Sequence, residues 1–314
     1  MRKILIILSL TLSVNISAQD ILSLKERAEF INGLQQDRFN NLLPSLMKKT
    51  SIDMWVLITR EYNEDPIIKT MLPPKWLNAR RTTILVFSID SKTNEFKSVA
   101  ITRYPFGDNI PSIWDKEKQP NQWKALRDYI VSQDPSKIGI NSSSYESLAD
   151  GLSKYHYDQL YNVLPNKYRN RIVSAEDLAI AWIETRTAME MTVYSHLVEI
   201  SHAIIREAFS TKVITPGITT TDDVVWWMRE KVIDLGLDTW FHPSVDVQRK
   251  DASDLYAFDN KSKFDRIQPG DLLHCDFGIS YLTLNTDCQE LGYVLKPGET
   301  SAPDFLVNAL KEGN

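Results

Sequence analysis

Two domains in succession, an α/β domain followed by an α+β domain, are what this sequence predicts, and three observations lead there. Helical periodicity alternates with β-branched runs over the first half, as it does where a sheet is layered with helices. A polar connector at residues 165–174 then breaks the pattern. Beyond it, amphipathic helices come first and strands last. The length of 314 residues, at roughly 100–200 per domain, agrees with two domains. The expected borders are 1–18 for an export signal, 19–174 for the first domain and 175–314 for the second.

The chain opens with Arg2 and Lys3, an apolar run at 4–12, and small residues Ser17 and Ala18, the layout of a secretory signal cleaved after Ala18. Spanning a bilayer takes about 20 apolar residues, which this run does not reach. The alternative is an uncleaved apolar helix. A lipid-anchored product would need a cysteine just after the cleavage point, and the first cysteine is Cys275. A periplasmic or secreted, untethered protein is therefore expected.

Residues 21–47 read as helical, with Leu24, Ala28, Ile31 and Leu34 and then Leu42, Leu43, Leu46 and Met47 at helical spacing. Strands are expected at 54–58, 82–89 and 96–101, and a loop at 63–78 from Pro66, Pro73 and Pro74. A helix at 122–131, a strand at 137–140 and a helix at 145–164 complete the first domain. Its Arg80, Arg81, Arg103 and Asp108 read as a solvated face rather than a catalytic constellation. In the second domain Met189, Val193, Leu197, Ile200, Ile204 and Ala208 bury one face of a helix at 188–209. His196 and His202 cannot face one ligand from that helix, so each reads as a packing or surface histidine. Thr220 with Asp223 forms a capping box that opens a helix carrying Val224, Met228, Val232 and Leu235 and stopping at Gly236.

The formal net charge of −5 provides no footprint for nucleic acid, and no segment is long enough for a membrane span. Two cysteines outside any CxxC pair exclude a disulfide scaffold and a thiolate zinc site, so a metal would be held by oxygen and nitrogen.

Chemistry concentrates at residues 267–299, IQPGDLLHCDFGISYLTLNTDCQELGYVLKPGE. Pro269-Gly270-Asp271 makes a turn, 272–279 a strand, and 282–295 a strand returning from it. Leu272, His274, Asp276 and Gly278 share one face. A hairpin that pairs Asp276 with Asp287 would pair Cys275 with Cys288 behind it, placing two carboxylates on one face and two thiols on the other. Hairpin aspartates are commonly surface or turn residues. Asp276, however, lies inside an apolar strand, where an unpaired carboxylate is costly, and that weighs toward a ligand role. Two such carboxylates can clamp a pair of divalent ions about 3.5–4 Å apart.

The run GD-L-L-x-x-D-F-G, the Thr286-Asp287 step and Y-V-L-K-P-G-E resemble the first two metal-ligand strands of the pita-bread metallohydrolases, which include Xaa-Pro aminopeptidases, prolidases and creatinase. The helix with Arg186, Thr187 and Glu190 is similar to the opening helix of that domain, and the α/β region before it to the N-terminal domain of the creatinase branch. The resemblance implies an α/β creatinase-type domain followed by a partial α+β pita-bread domain. It also implies a metal-dependent exopeptidase acting before proline through a metal-bridged hydroxide, with Asp276 on one metal and Asp287 bridging two. The cofactors would be two divalent ions, manganese, zinc or cobalt.

The family completes its site with a histidine and two glutamates downstream. Here His156, His196, His202, His242 and His274 all precede Asp276. The expectation is an incomplete site in a C-terminally truncated, inactive chain. Where the family places a substrate-contacting histidine, this chain has Phe258 and Asp259; His242 is the candidate to replace it, and otherwise is a loop histidine. His274 is either a packed strand histidine or a support behind the ligands. Cys275 and Cys288 are either disulfide-bonded or free and buried. The implied partner is a peptide or small amide substrate, without nucleic acid or membrane, in a chain whose relatives are often homodimers. Two alternatives stay open: a creatinase-like C–N amidohydrolase and an inactive binding protein of the same fold.

Overall fold

The computed structural model describes residues 21–90, 92–248 and 266–313. The proposed signal and its cleavage point, and Phe258 and Asp259, lie outside the described residues. The chain divides into two compact units, one of residues Ser23–Val193 and one that begins at Tyr194 and takes in Leu22.

In the first unit Ser23 caps α1 (Leu24–Asp37), accepting from Glu26 N while the Glu26 carboxylate accepts from Ser23 N at 2.9 Å. A π-helical stretch, Arg38–Leu42, leads into α2 (Leu43–Thr50). The strands β1 (Met54–Arg60), β2 (Thr82–Ile89) and β3 (Phe96–Ala100) form an antiparallel meander. Between β1 and β2 lies α3 (Pro66–Met71), in the segment read as a loop. Its prolines concealed it: Pro66 sits at the first helical position, where a missing N–H costs nothing, and the Asp65 carboxylate caps Ile67 N and Ile68 N.

Then follow α4 (Gln122–Gln133), β4 (Ile138–Ile140), α5 (Lys154–Val163), α6 (Asn166–Arg169) and β5 (Ile172–Ser174). The helix expected from residue 145 starts only at Lys154, capped by Ser153. The supposed connector contains α6 and β5, because three residues of edge strand are too short to show a pattern. β4 and β5 add in parallel to β1, giving the order β3-β2-β1-β4-β5. Alternation along β1 sends Trp55 and Leu57 to a core shared with α2, α3 and α7 (Glu176–Glu184), and Met54, Val56 and Ile58 to one shared with α4 and α5. Helix α8 (Ala188–Ala208) begins in this unit, where Glu190 accepts from Arg38 Nη1 at 2.9 Å.

In the second unit α8 buries Leu197, Ile200, Ile204 and Ala208 of the expected stripe, with Ser201 beside them, whereas Met189 in its first turn is exposed and Val193 half-buried. The capping box forms as expected: Asp223 N donates to Thr220 Oγ1 and the Asp223 carboxylate accepts from Thr220 N, opening α9 (Thr221–Asp234). Strand β6 (Ser244–Gln248), β7 (Leu272–Phe277), the short pair β8 (Ser280–Tyr281) and β9 (Leu284–Asn285), and β10 (Cys288–Tyr293) follow, then α10 (Asp304–Gly313). The order β10-β7-β6 is antiparallel throughout.

Candidate metal centre

The hairpin turns at Leu282 and Thr283, both with left-handed backbone, φ 54° and 67°. That sign pattern is required of a two-residue turn compatible with strand twist, usually by Asn-Gly. Here neither residue advertises it. The turn fixes the register, pairing Tyr281 with Leu284, Ser280 with Asn285, Phe277 with Cys288 and Asp276 with Gln289. The pairing of Asp276 with Asp287 drawn from the sequence is therefore wrong by two residues. A shift of two keeps every side chain on its face. Asp276 and Asp287 remain on one face as diagonal neighbours, and Cys275 and Cys288 remain on the other.

The thiols do not pair. Glu290 stands opposite Cys275, and both cysteines are free and buried. Burial is the main cause that pushes the Cys275 thiol up to about 12, and burial also raises Cys288. This face packs on α8, where His202 Nδ1 meets Glu290 Oε1 at 2.6 Å.

The other face carries a row missed in the sequence. Ser244 lies opposite Asp276 and Asp246 opposite His274. The polar-apolar alternation of Ser244-Val245-Asp246-Val247-Gln248 is the signal that could have found it. Burial first, then the charge of Asp287 and a hydrogen bond shared with it, raise the Asp276 carboxyl above the usual carboxylate range, while His274 acts the other way. Asp276 Oδ1 is buried with no hydrogen-bond partner. Among the described residues Arg169 Nε is the other such atom, but its guanidinium donates through both terminal nitrogens.

Two carboxyl groups within hydrogen-bonding reach need either a shared proton or a cation between them. The orphaned oxygen and the all-oxygen donor pair fit a hard divalent ion. Among the described residues no cluster of three or more His, Cys, Asp and Glu side chains could hold a metal ion.

His274 Nε2 lies 3.2 Å from Gln289 Oε1, on the strand pair that holds Asp276. His242 is exposed at the entry to β6, its Nδ1 3.2 Å from Arg229 Nη1 and its ring edge-on to Trp226 at 5.4 Å. Its neighbours Trp240 and Phe241 reach the hairpin: a Cβ on Gly278 would collide with both rings and with the Thr286 carbonyl oxygen, so only glycine fits there.

No family model and no curated protein matches the chain. Solved structures do. Proline aminopeptidase P II from Yersinia pestis is similar at a TM-score of 0.58 and 14% identity, over 88% of this chain and 68% of that one. X-Pro aminopeptidase from Thermotoga maritima is similar at 0.56 and 14%, over 85% and 68%. A variant of Escherichia coli aminopeptidase P is similar at 0.56 and 13%, over 95% and 68%. The chain has the aminopeptidase P fold, the pita-bread architecture that its hairpin motifs resemble.

Proposed function

We propose that this chain is of the metal-dependent hydrolase class typified by Xaa-Pro aminopeptidases, exported by its N-terminal signal. The observation that carries the reading is the Asp276–Asp287 pair with its orphaned Oδ1, on a fold similar to that of aminopeptidase P. Asp276 and Asp287 would hold the metal, and two divalent ions would supply Lewis acidity toward a peptide carbonyl and the attacking water. Asp276 provides an oxygen that no protein donor satisfies, and His274, fixed by Gln289, stands beside it on the same strand. His242 would contact the substrate, with Arg229 and Trp226 setting its ring.

Among the described residues no group of three or more His, Cys, Asp and Glu side chains could hold a metal ion, and by itself the 314-residue chain is proposed to lack turnover. A second reading is an inactive binding protein of the same fold. Metal content and hydrolysis of an Xaa-Pro peptide, measured on the 314-residue chain beside any longer product of the same locus, separate these. A full pair of metals and cleavage are expected in the longer product alone, with the 314-residue chain binding metal more weakly through Asp276 and Asp287. No cleavage by either product supports the binding protein, and cleavage of a non-peptide C–N substrate would point to creatinase-like chemistry.

A further inference from the structure

We propose that Thr286 is the positioning residue that holds Asp287 against Asp276, anchored by Ser201 and Trp240. This rests on the metal-site reading above for its purpose, though not for its geometry. Thr286 is 1% exposed, and its polar atoms are all engaged. Its N–H donates to Ile279 O at 2.9 Å, as an antiparallel ladder requires. The returning bond is different. Ile279 N donates to the side-chain Oγ1 of Thr286 at 3.1 Å, while the Thr286 carbonyl accepts from Trp240 Nε1 at 2.8 Å.

The ladder is thus open between β9 and β10, and a side chain closes it. The Thr286 hydroxyl then meets Ser201 Oγ at 2.7 Å, and Ser201 Oγ donates to Leu197 O in α8 at 3.2 Å. Ile279 N can only donate and Leu197 O only accept, so the proton order runs from Ile279 through Thr286 and Ser201 to the helix. Side chains alternate along an extended chain, so fixing Thr286 on the α8 side presents Asp287 on the Asp276 side. Outer groups that orient metal ligands commonly change metal affinity about 10–100-fold when removed.

The test uses Thr286→Val, which keeps the shape and removes the hydroxyl, and Thr286→Ser, which restores it. In the metal-free 314-residue chain, Asp276→Asn is expected to raise the urea midpoint by relieving the repulsion from Asp287. That gain should vanish in the Thr286→Val background and persist in Thr286→Ser. Mn²⁺ affinity, read by calorimetry, should fall about tenfold in Thr286→Val and recover in Thr286→Ser. An Asp276→Asn gain of equal size in Thr286→Val overturns the proposal, and so does the lack of any gain in the wild-type chain. If Thr286→Val does not fold, Ser201→Ala removes one anchor, and an unchanged gain there overturns it equally. Failure of the wild-type chain to bind Mn²⁺, with the stability pattern intact, sinks the metal reading and leaves the positioning role standing.

Discussion

The buried polar groups of the first unit and those of the hairpin are managed in opposite ways. In the first unit Asp65, 1% exposed, accepts from Ile67 N, Ile68 N and Asn141 Nδ2, and Asn141 in turn accepts from Trp55 Nε1 at 2.8 Å. Arg38 is likewise closed off, with both Glu190 oxygens at 2.9 Å and the Trp182 ring 4.3 Å from its guanidinium carbon. At the hairpin, Asp276 faces another acid and leaves one oxygen bare. Complete satisfaction marks groups that hold a fold; a carboxylate left short marks one kept for a ligand.

The largest effect that sharpens this contrast is expected at Arg38. Glu190→Ala strands a buried guanidinium and should cost about 3–5 kcal/mol in urea unfolding. The double variant Arg38→Met/Glu190→Leu should cost far less, since it removes the charge with its partner. Equal costs for the two would show that the pair contributes by packing alone. At the hairpin the sign reverses: deleting the Asp276 charge should stabilise the metal-free chain, and a loss of stability there would erase the distinction.

The sequence shows much of this, and the exceptions have physical causes. Strands β1 to β3 and helices α8 and α9 announce themselves because long periodic runs bury whole faces, and Thr220 and Asp223 form a cap through local bonds alone. Asp276 and Asp287 stand out because a carboxylate interrupts an apolar strand. What was not legible depended on backbone sign or on distant partners. Leu282 and Thr283 adopt positive φ without Gly or Asn, so the register was misplaced by two residues, while the even shift left the faces unchanged. The role of Thr286 required Ser201 and Trp240, which lie far away in the chain.

A smaller effect is expected at His156, 3% exposed, with ring centroids of Trp123 and Tyr155 at 5.9 and 5.5 Å. Burial, then Arg60, lowers its pKa below the usual histidine value, so the folded unit favours the neutral ring. The stability it contributes is complete above the unfolded value near ~6.5 and is lost as pH falls below it toward the folded value. His156→Phe should flatten the pH dependence of the urea midpoint between about pH 7 and pH 5. An unchanged slope would mean that the ring escapes to solvent before it is protonated.

The smallest effect belongs to Asp134, at the end of α4, whose Oδ1 meets Lys167 Nζ at 2.7 Å and Arg171 Nη1 at 2.8 Å. Those two cations, Lys167 first, hold its carboxyl down to about 2. A depressed acid stabilises the fold above its unfolded pKa, near ~3.9, and that contribution is lost as pH falls toward the folded value. The side chain is exposed, so salt should screen most of the effect. Asp134→Asn keeps a residue that tolerates the left-handed backbone there, φ 43°, and removes only the charge. It should leave the urea midpoint at pH 7 in high salt unchanged and lower it slightly in low salt. A large loss at both salt concentrations would show that Asp134 acts as a helix stop bonded to Arg171 and not as a charge, and would place it with Asp65 among the groups that hold the fold.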